Sequence, residues 1–242
     1  MPAAQATGQG SYMAHYTSPP AAYLFDMDGL LLDTERVCLD AFVPLAAARG
    51  HDAEDAHAFF LTLIGSSEAM TQDRVTDLMG STQEGARFLS EWRDVVQHKL
   101  STHVPLRPTV SKTLAGLRAQ GARMAVVTST RGDAARHHLH VAGLIACFET
   151  VIGGDEVHAN KPDPAPYLQA AAALDVDPTH CAAFEDSDRG IMAAVRAGCR
   201  AVQIPDLRAP DLALPDLGQH IAHDLWTAAH LVSDAASRLS AD

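Results

Sequence analysis

Tyr23-Leu24-Phe25-Asp26-Met27-Asp28-Gly29-Leu30-Leu31-Leu32-Asp33-Thr34-Glu35 decides how this chain is read. β-forming residues run straight into Asp26, and Gly29 three residues on frees the backbone to turn. Asp26 and Asp28 are therefore expected where a buried strand opens onto a loop, both aimed into a crevice. Two acids this close repel each other, and burial raises the cost of ionising both, so the pair needs a shared proton or a cation. A divalent metal is the simplest answer.

Downstream of this stretch the pattern turns helical. Asp33 can cap a helix whose apolar face begins with Leu39, Phe42, Val43, Leu45 and Ala46, and Phe59, Phe60, Leu63 and Ile64 make a second face. Gly65-Ser66-Ser67 interrupts, with either serine able to cap a helix carrying Met70, Val75, Leu78 and Met79. Phe88, Leu89, Trp92, Val95, Val96 and Leu100 form the clearest stripe, read as bundle core. These patterns predict a bundle of about four helices over residues 36–104, inserted as a cap domain into a core of 21–35 and 105–242.

From Pro105 strands and helices alternate. Helices are expected at 109–120, 165–174 and 191–197, and strands at 123–128, 148–152, 181–184 and 201–204, the last closing the series. A further helix crosses from the 129–133 loop to the 148–152 strand. A loop to Gly218 and a terminal helix over 225–239 complete the chain. Such alternation predicts an α/β fold with a Rossmann-like parallel sheet, ligands binding beyond the carboxyl ends of the strands. Asp26, Thr128 and Asp186 all fall at such ends.

Composition narrows the function. A formal charge of -12 and a pI near 5.4 exclude an electrostatic footprint for nucleic acid or anionic membrane. The four cysteines, Cys38, Cys147, Cys181 and Cys199, form no C-x-x-C pair and read as reduced thiols of a cytoplasmic protein. Residues 1–20 carry neither the basic start nor the apolar centre of a signal peptide and read as a disordered leader. No apolar run is long enough to suggest a membrane span. No nucleic acid and no membrane are expected as partners, and the chain is expected to be a monomer or at most a dimer.

The polar clusters suit Mg²⁺, which takes near-octahedral oxygen ligands from a few carboxylates, water and substrate phosphate. Asp26, Asp186 and the backbone carbonyl of Asp28 are candidate donors, and Lys161 in Asn160-Lys161-Pro162-Asp163-Pro164 supplies a fixed positive charge. Four motifs in this order make the chain similar to the haloacid dehalogenase-like hydrolase superfamily, in the subgroup of β-phosphoglucomutase and phosphoglycolate phosphatase with a helical cap. They are Asp26-x-Asp28, Thr128, Lys161-Pro162-Asp163-Pro164, and Glu185-Asp186-Ser187 with Gly190. The resemblance covers roughly residues 22–205.

That resemblance implies a phosphatase. Asp26 would attack phosphorus to give an aspartyl-phosphate, and Asp28, kept protonated by its acidic neighbours, would serve as acid and then base. Thr128 and Lys161 would balance phosphate charge. Gly29 would leave nearby N–H groups open to phosphate, Ser129 would join it, and Gly65 and Ser66 would meet the leaving group. Asp26, Asp28, Glu185 and Asp186 form the implied metal set. Cys38 and Glu68 stand where the mutase branch carries a histidine and an arginine, which favours hydrolysis over a phosphomutase reaction. Thr109 replaces a glycine usual in relatives, and only a changed turn is expected there. A catalytically idle binding protein on the same fold is the alternative from another class. His137 and His140 could form a zinc pair but read as a wet helix face, Asp188 as an ordinary helix-start acid, and Gly153-Gly154 as a turn near the rim.

Overall fold

The protein is described by a computed structural model over residues 18–66, 68–208 and 212–237. Residues 1–17 of the leader expected at 1–20, Ser67, and residues 209–211 and 238–242 lie outside the described residues, as does the side chain of Glu68.

Six parallel strands, β1 (Ala22–Phe25), β2 (Arg123–Val127), β3 (Thr150–Ile152), β4 (Cys181–Glu185), β5 (Arg200–Gln203) and β6 (His220–Ile221), form one sheet in the order β3-β2-β1-β4-β5-β6. The central β1 is buried on both faces, as parallel strands flanked by helices are. Its side chains alternate. Tyr23 and Phe25 join one apolar layer with Leu114, Leu139, Phe184 and Val232, whereas Ala22 and Leu24 join the other with Tyr167, Leu174 and Ile191. The first layer is built from α5 (Val110–Ala119), α6 (Gly132–Val141) and α9 (Leu225–Ser237), the second from α7 (Ala165–Ala173) and α8 (Asp188–Arg196).

Register positions the site. Phe25 pairs with Val126 on one side and with Phe184 on the other, so the residues that follow each strand emerge at one edge. The Asp26 N–H donates to the Phe184 carbonyl at 3.0 Å, and the Thr128 N–H to Ile152 at 3.0 Å.

Between β1 and β2 the chain forms α1 (Thr34–Ala47), α2 (Ala53–Leu61), α3 (Glu68–Met79) and α4 (Thr82–Thr102), with no strand of the sheet among them in the described residues. Phe42 is the centre of this bundle, its ring 5.0 Å from that of Phe88 and 5.3 Å from that of Trp92. Asp52 caps α2 by accepting from Glu54 and Asp55 N–H, and Ser81 caps α4 from Glu84 N–H. The two connections to the sheet run side by side. Asp33 N–H donates to Pro105 at 2.8 Å and Arg107 N–H to Leu31 at 3.0 Å. Asp206, following β5, accepts from Arg36 at 2.9 Å and pairs with Arg107 at 2.8 Å, so ionic contacts brace both connections against the sheet.

Several sequence expectations need correction. The 201–204 strand does not close the sheet, because β6 pairs beyond it, and two residues are too few to carry an alternating pattern. The strand expected at 148–152 starts at Thr150, after a short 3₁₀ turn at Ile145–Cys147. Helix α8 begins at Asp188 rather than Ile191, capped by Ser187 accepting from Gly190 N–H. Asp33 precedes α1 but makes no side-chain cap; its carboxylate binds Arg36 at 2.8 Å instead. Thr109 adopts a left-handed φ of 69°, a conformation that favours glycine, and its hydroxyl accepts from Trp226 N–H in the first turn of α9. No helix among the described residues is long and apolar enough to cross a membrane.

Candidate active site

Strands β1, β2 and β4 deliver the polar groups to one edge. Asp26 follows β1, Glu185 ends β4 and Asp186 follows it, and one carboxylate oxygen from each lies within 4.8 Å of the others. Lys161 comes from the loop before α7, its Nζ 2.5 Å from Asp26 Oδ1, 2.7 Å from Glu185 Oε1 and 2.8 Å from the Val127 carbonyl. Arg189 donates to the Lys161 carbonyl at 2.6 Å and Arg196 to that of Pro162 at 3.0 Å, which holds this loop against α8. All four charged side chains are buried.

Three buried carboxylates face one ammonium. Burial first, then repulsion from Glu185, pushes Asp26 up to about 8, with Lys161 pulling the other way. Burial and the neighbouring Asp26 raise Asp186 well above the usual carboxylate range. Burial lowers the Lys161 affinity for its proton, but Asp26 and Glu185 outweigh it and the net shift is upward. An all-oxygen set with excess negative charge is the chemistry a hard divalent cation satisfies, so the residues present fit Mg²⁺.

Two glycines make the cluster sterically possible. A Cβ on Gly29, whose φ is +78°, would overlap the Asp186 carboxylate, and one on Gly190 would overlap that of Glu185. The Gly29 N–H is itself taken by the Leu32 carbonyl at 2.9 Å, and the missing side chain admits Asp186.

Asp28 stands apart from the acidic cluster. Its carboxylate accepts from Thr34 Oγ1 at 2.7 Å, Thr130 Oγ1 at 2.7 Å and, more weakly, Thr128 Oγ1 at 3.4 Å. Expected Ser129 is exposed, whereas Thr130 reaches in. The chain bends after β2, where the Thr130 N–H donates to Thr128 Oγ1 at 3.0 Å, so both threonines serve the site and strand alternation does not reach this loop. Tyr167 was also missed. Its buried hydroxyl donates to Glu185 Oε1 at 2.6 Å, and its ring lies 5.4 Å from Lys161 Nζ. With Ser187 Oγ at 3.2 Å on the other oxygen, Glu185 is the most fully engaged acid of the set.

A cavity of about 390 Å³ opens beside Asp28, lined among others by Glu35, Cys38, Gly65 and His138, and it adjoins a cleft of about 800 Å³ that Ser66, Trp92 and Arg131 border. Gly65 therefore lines the cavity beside Asp28, and Ser66 the cleft that adjoins it. Burial, followed by the charges of Asp28 and Glu35, pushes the Cys38 thiol up to about 12. Burial first, then Asp206, Asp28 and Asp26, raises Glu35 to about 8. His137 and His140 are exposed on α6, Asp188 pairs with Arg208 at 3.0 Å, and Gly153-Gly154 packs its backbone against the 129–132 loop.

Known proteins resemble this chain in sequence and structure. The model of a family described as haloacid dehalogenase-like hydrolase matches residues 23–204. Protein CbbY of Rhodobacter capsulatus is 33% identical over 219 residues, covering 81% of this chain and 93% of that protein. Validoxylamine A 7'-phosphate phosphatase of Streptomyces hygroscopicus subsp. limoneus is 31% identical over 178 residues, covering 72% of this chain and 81% of that protein. The crystal structure of CbbY from Rhodobacter sphaeroides in complex with phosphate superposes with a TM-score of 0.65 at 25% identity, covering 86% of this chain and 95% of that one.

Proposed function

This chain belongs to the haloacid dehalogenase-like hydrolase family, and from that premise we propose that it is a Mg²⁺-dependent phosphatase of a small phosphorylated metabolite, a sugar phosphate or a nucleotide-like monophosphate. The observation that carries this reading is the buried group of Asp26, Glu185 and Asp186 around Lys161, with Asp28 held separately by threonine hydroxyls. One relative is named as a phosphatase, and a structural neighbour was solved with phosphate bound.

In this proposal Asp26 attacks phosphorus, forming an oxygen–phosphorus bond to its carboxylate while the bond to the leaving oxygen breaks. Asp28 gives that oxygen its proton, so the alcohol leaves neutral. A water then attacks the aspartyl-phosphate, Asp28 takes the water's proton, and phosphate departs with Asp26 restored. Lys161 keeps Asp26 aimed through its contact with Oδ1 and, with Thr128, offsets charge on the phosphate oxygens. A bound Mg²⁺, held by Asp26, Asp186, Glu185 and the Asp28 carbonyl, would supply Lewis acidity and charge neutralisation. The division into a core of 21–35 and 105–242 and a cap of 36–104 belongs to the same proposal, the cap covering the reacting group.

Phosphate release with Mg²⁺ across sugar phosphates, nucleoside monophosphates and phosphoglycolate tests it. Asp26→Asn should lower turnover by roughly 10⁴-fold with the fold intact. A variant as fast as wild type would end the nucleophile assignment.

A further inference from the structure

Asp186 is buried, and among the described residues its carbonyl, but not its carboxylate, accepts a side-chain hydrogen bond. The direction of that carboxylate is therefore set by the backbone that carries it. The turn from Glu185 to Asp188 is anchored on both sides. Before Asp186, Glu185 is held by Lys161, Tyr167 and Ser187. After it, Asp188 accepts from Gln203 Nε2 at 2.8 Å and from two nitrogens of Arg208 at 3.0 and 3.2 Å. Gln203, fully buried at the end of β5, also donates to the Asp186 carbonyl at 3.5 Å, and its own Oε1 accepts from Gln219 at 3.0 Å. A buried amide bonded at both ends holds one geometry. Arg208 is fixed in turn, donating to the carbonyls of Leu212 at 3.2 Å and Ala213 at 3.0 Å.

We propose that Gln203, Asp188 and Arg208 are positioning residues for the divalent cation, aiming Asp186 by fixing the turn on which it sits. The proposal rests on the Mg²⁺-dependent reading and deepens it. None of the three is among the acids gathered within 4.8 Å of one another, so they act through Asp186. The bidentate grip of a guanidinium on a carboxylate is directional, and Arg208 therefore fixes Asp188 in angle as well as in place. Hydrogen bonds that orient a metal ligand commonly carry roughly 10–100-fold in affinity. Gly29 leaves room for the Asp186 carboxylate on one side, and these three groups hold its backbone on the other. Asp188 thus does more than the helix-start acid its sequence position suggests. Gln203 and Arg208 lie outside the four motifs that carry the family resemblance.

The test is Mg²⁺ binding by calorimetry to the full chain, freed of metal by a chelator, in wild type, Gln203→Met, Arg208→Met and Asp188→Asn. Methionine keeps the length of Gln203 and removes its amide, whereas asparagine keeps an acceptor for Gln203 and removes the charge that Arg208 grips. The dissociation constant should rise about 10-fold in Gln203→Met, about 5-fold in Arg208→Met and about 3-fold in Asp188→Asn. Phosphate release should correspondingly be lost more at limiting than at saturating Mg²⁺. Arg208 reaches the turn from the loop after β5, so its variant tests the proposal even where Gln203→Met fails to fold. Dissociation constants within about twofold of wild type, whatever happens to the thermal midpoint, assign the three residues a structural role and overturn the inference. Calorimetry needs no substrate, so the inference is decided even where no monoester is cleaved. A wild type that binds no Mg²⁺ is a different result, and it defeats the metal reading together with the inference.

Discussion

The acidic cluster at the end of β1 and β4 and the cavity beside it lie next to each other and are built in opposite ways. In the cluster Lys161 reaches Asp26 and Glu185, and Tyr167 and Ser187 complete Glu185, while beside it three threonine hydroxyls hold Asp28. In the cavity Glu35 Oε2 and His138 Nδ1 are left unpaired between apolar walls. The cluster is set in place by strand ends and internal bonds, whereas the two cavity atoms have no hydrogen-bond partner among the described residues. Preorganisation favours a constant reaction, and unfilled hydrogen bonds favour choice among ligands.

Removing the central cation should break the comparison most sharply. Lys161→Met leaves three buried carboxylates without their ammonium, so turnover should fall by roughly 10²–10³-fold and stability by about 3 kcal/mol in chemical denaturation. A melting curve equal to wild type would show that the cluster does not depend on Lys161.

Gly29→Ala acts on the same cluster through shape alone. A methyl group at a φ of +78° meets the Asp186 carboxylate, and the expected loss is about 2 kcal/mol together with weakened Mg²⁺ binding by calorimetry. Unchanged Mg²⁺ affinity would mean that Asp186 can turn aside freely.

Acidity gives a third handle. In the metal-free protein Asp26 is raised from 3.8 to about 8, so between those values the folded state keeps a proton that the unfolded chain has lost. Folded stability from this group is therefore greatest at the acid end and declines as pH rises towards 8. The midpoint of thermal unfolding should drop across that range without metal, and Mg²⁺ should recover it most strongly near pH 8. A midpoint that rises with pH in the absence of metal contradicts the burial argument.

The smallest effect separates neighbours. Thr130→Val removes a 2.7 Å hydrogen bond to Asp28 and should lower kcat by about 10-fold, while Ser129→Ala should change it by less than about twofold. Equal losses would place Ser129 at the site after all.

Much of this was legible in the residues because it depends on local pattern. A β-forming run ending in an acid and a turn predicts β1 and Asp26, apolar residues at helical spacing predict the α1–α4 bundle, and alternation predicts a parallel sheet whose rim gathers Asp26, Thr128 and Asp186. What tertiary structure alone decided are pairings between residues distant in the chain. Tyr167 under Glu185, Gly29 against Asp186, Arg107 on Asp206 and the shared cavity of Glu35 and His138 arise only when separate strands and helices are brought into register. No period in the sequence encodes such neighbours. The two-residue β6 escaped for a related reason: its strand character comes from the hydrogen bonds β5 offers it rather than from its own side chains.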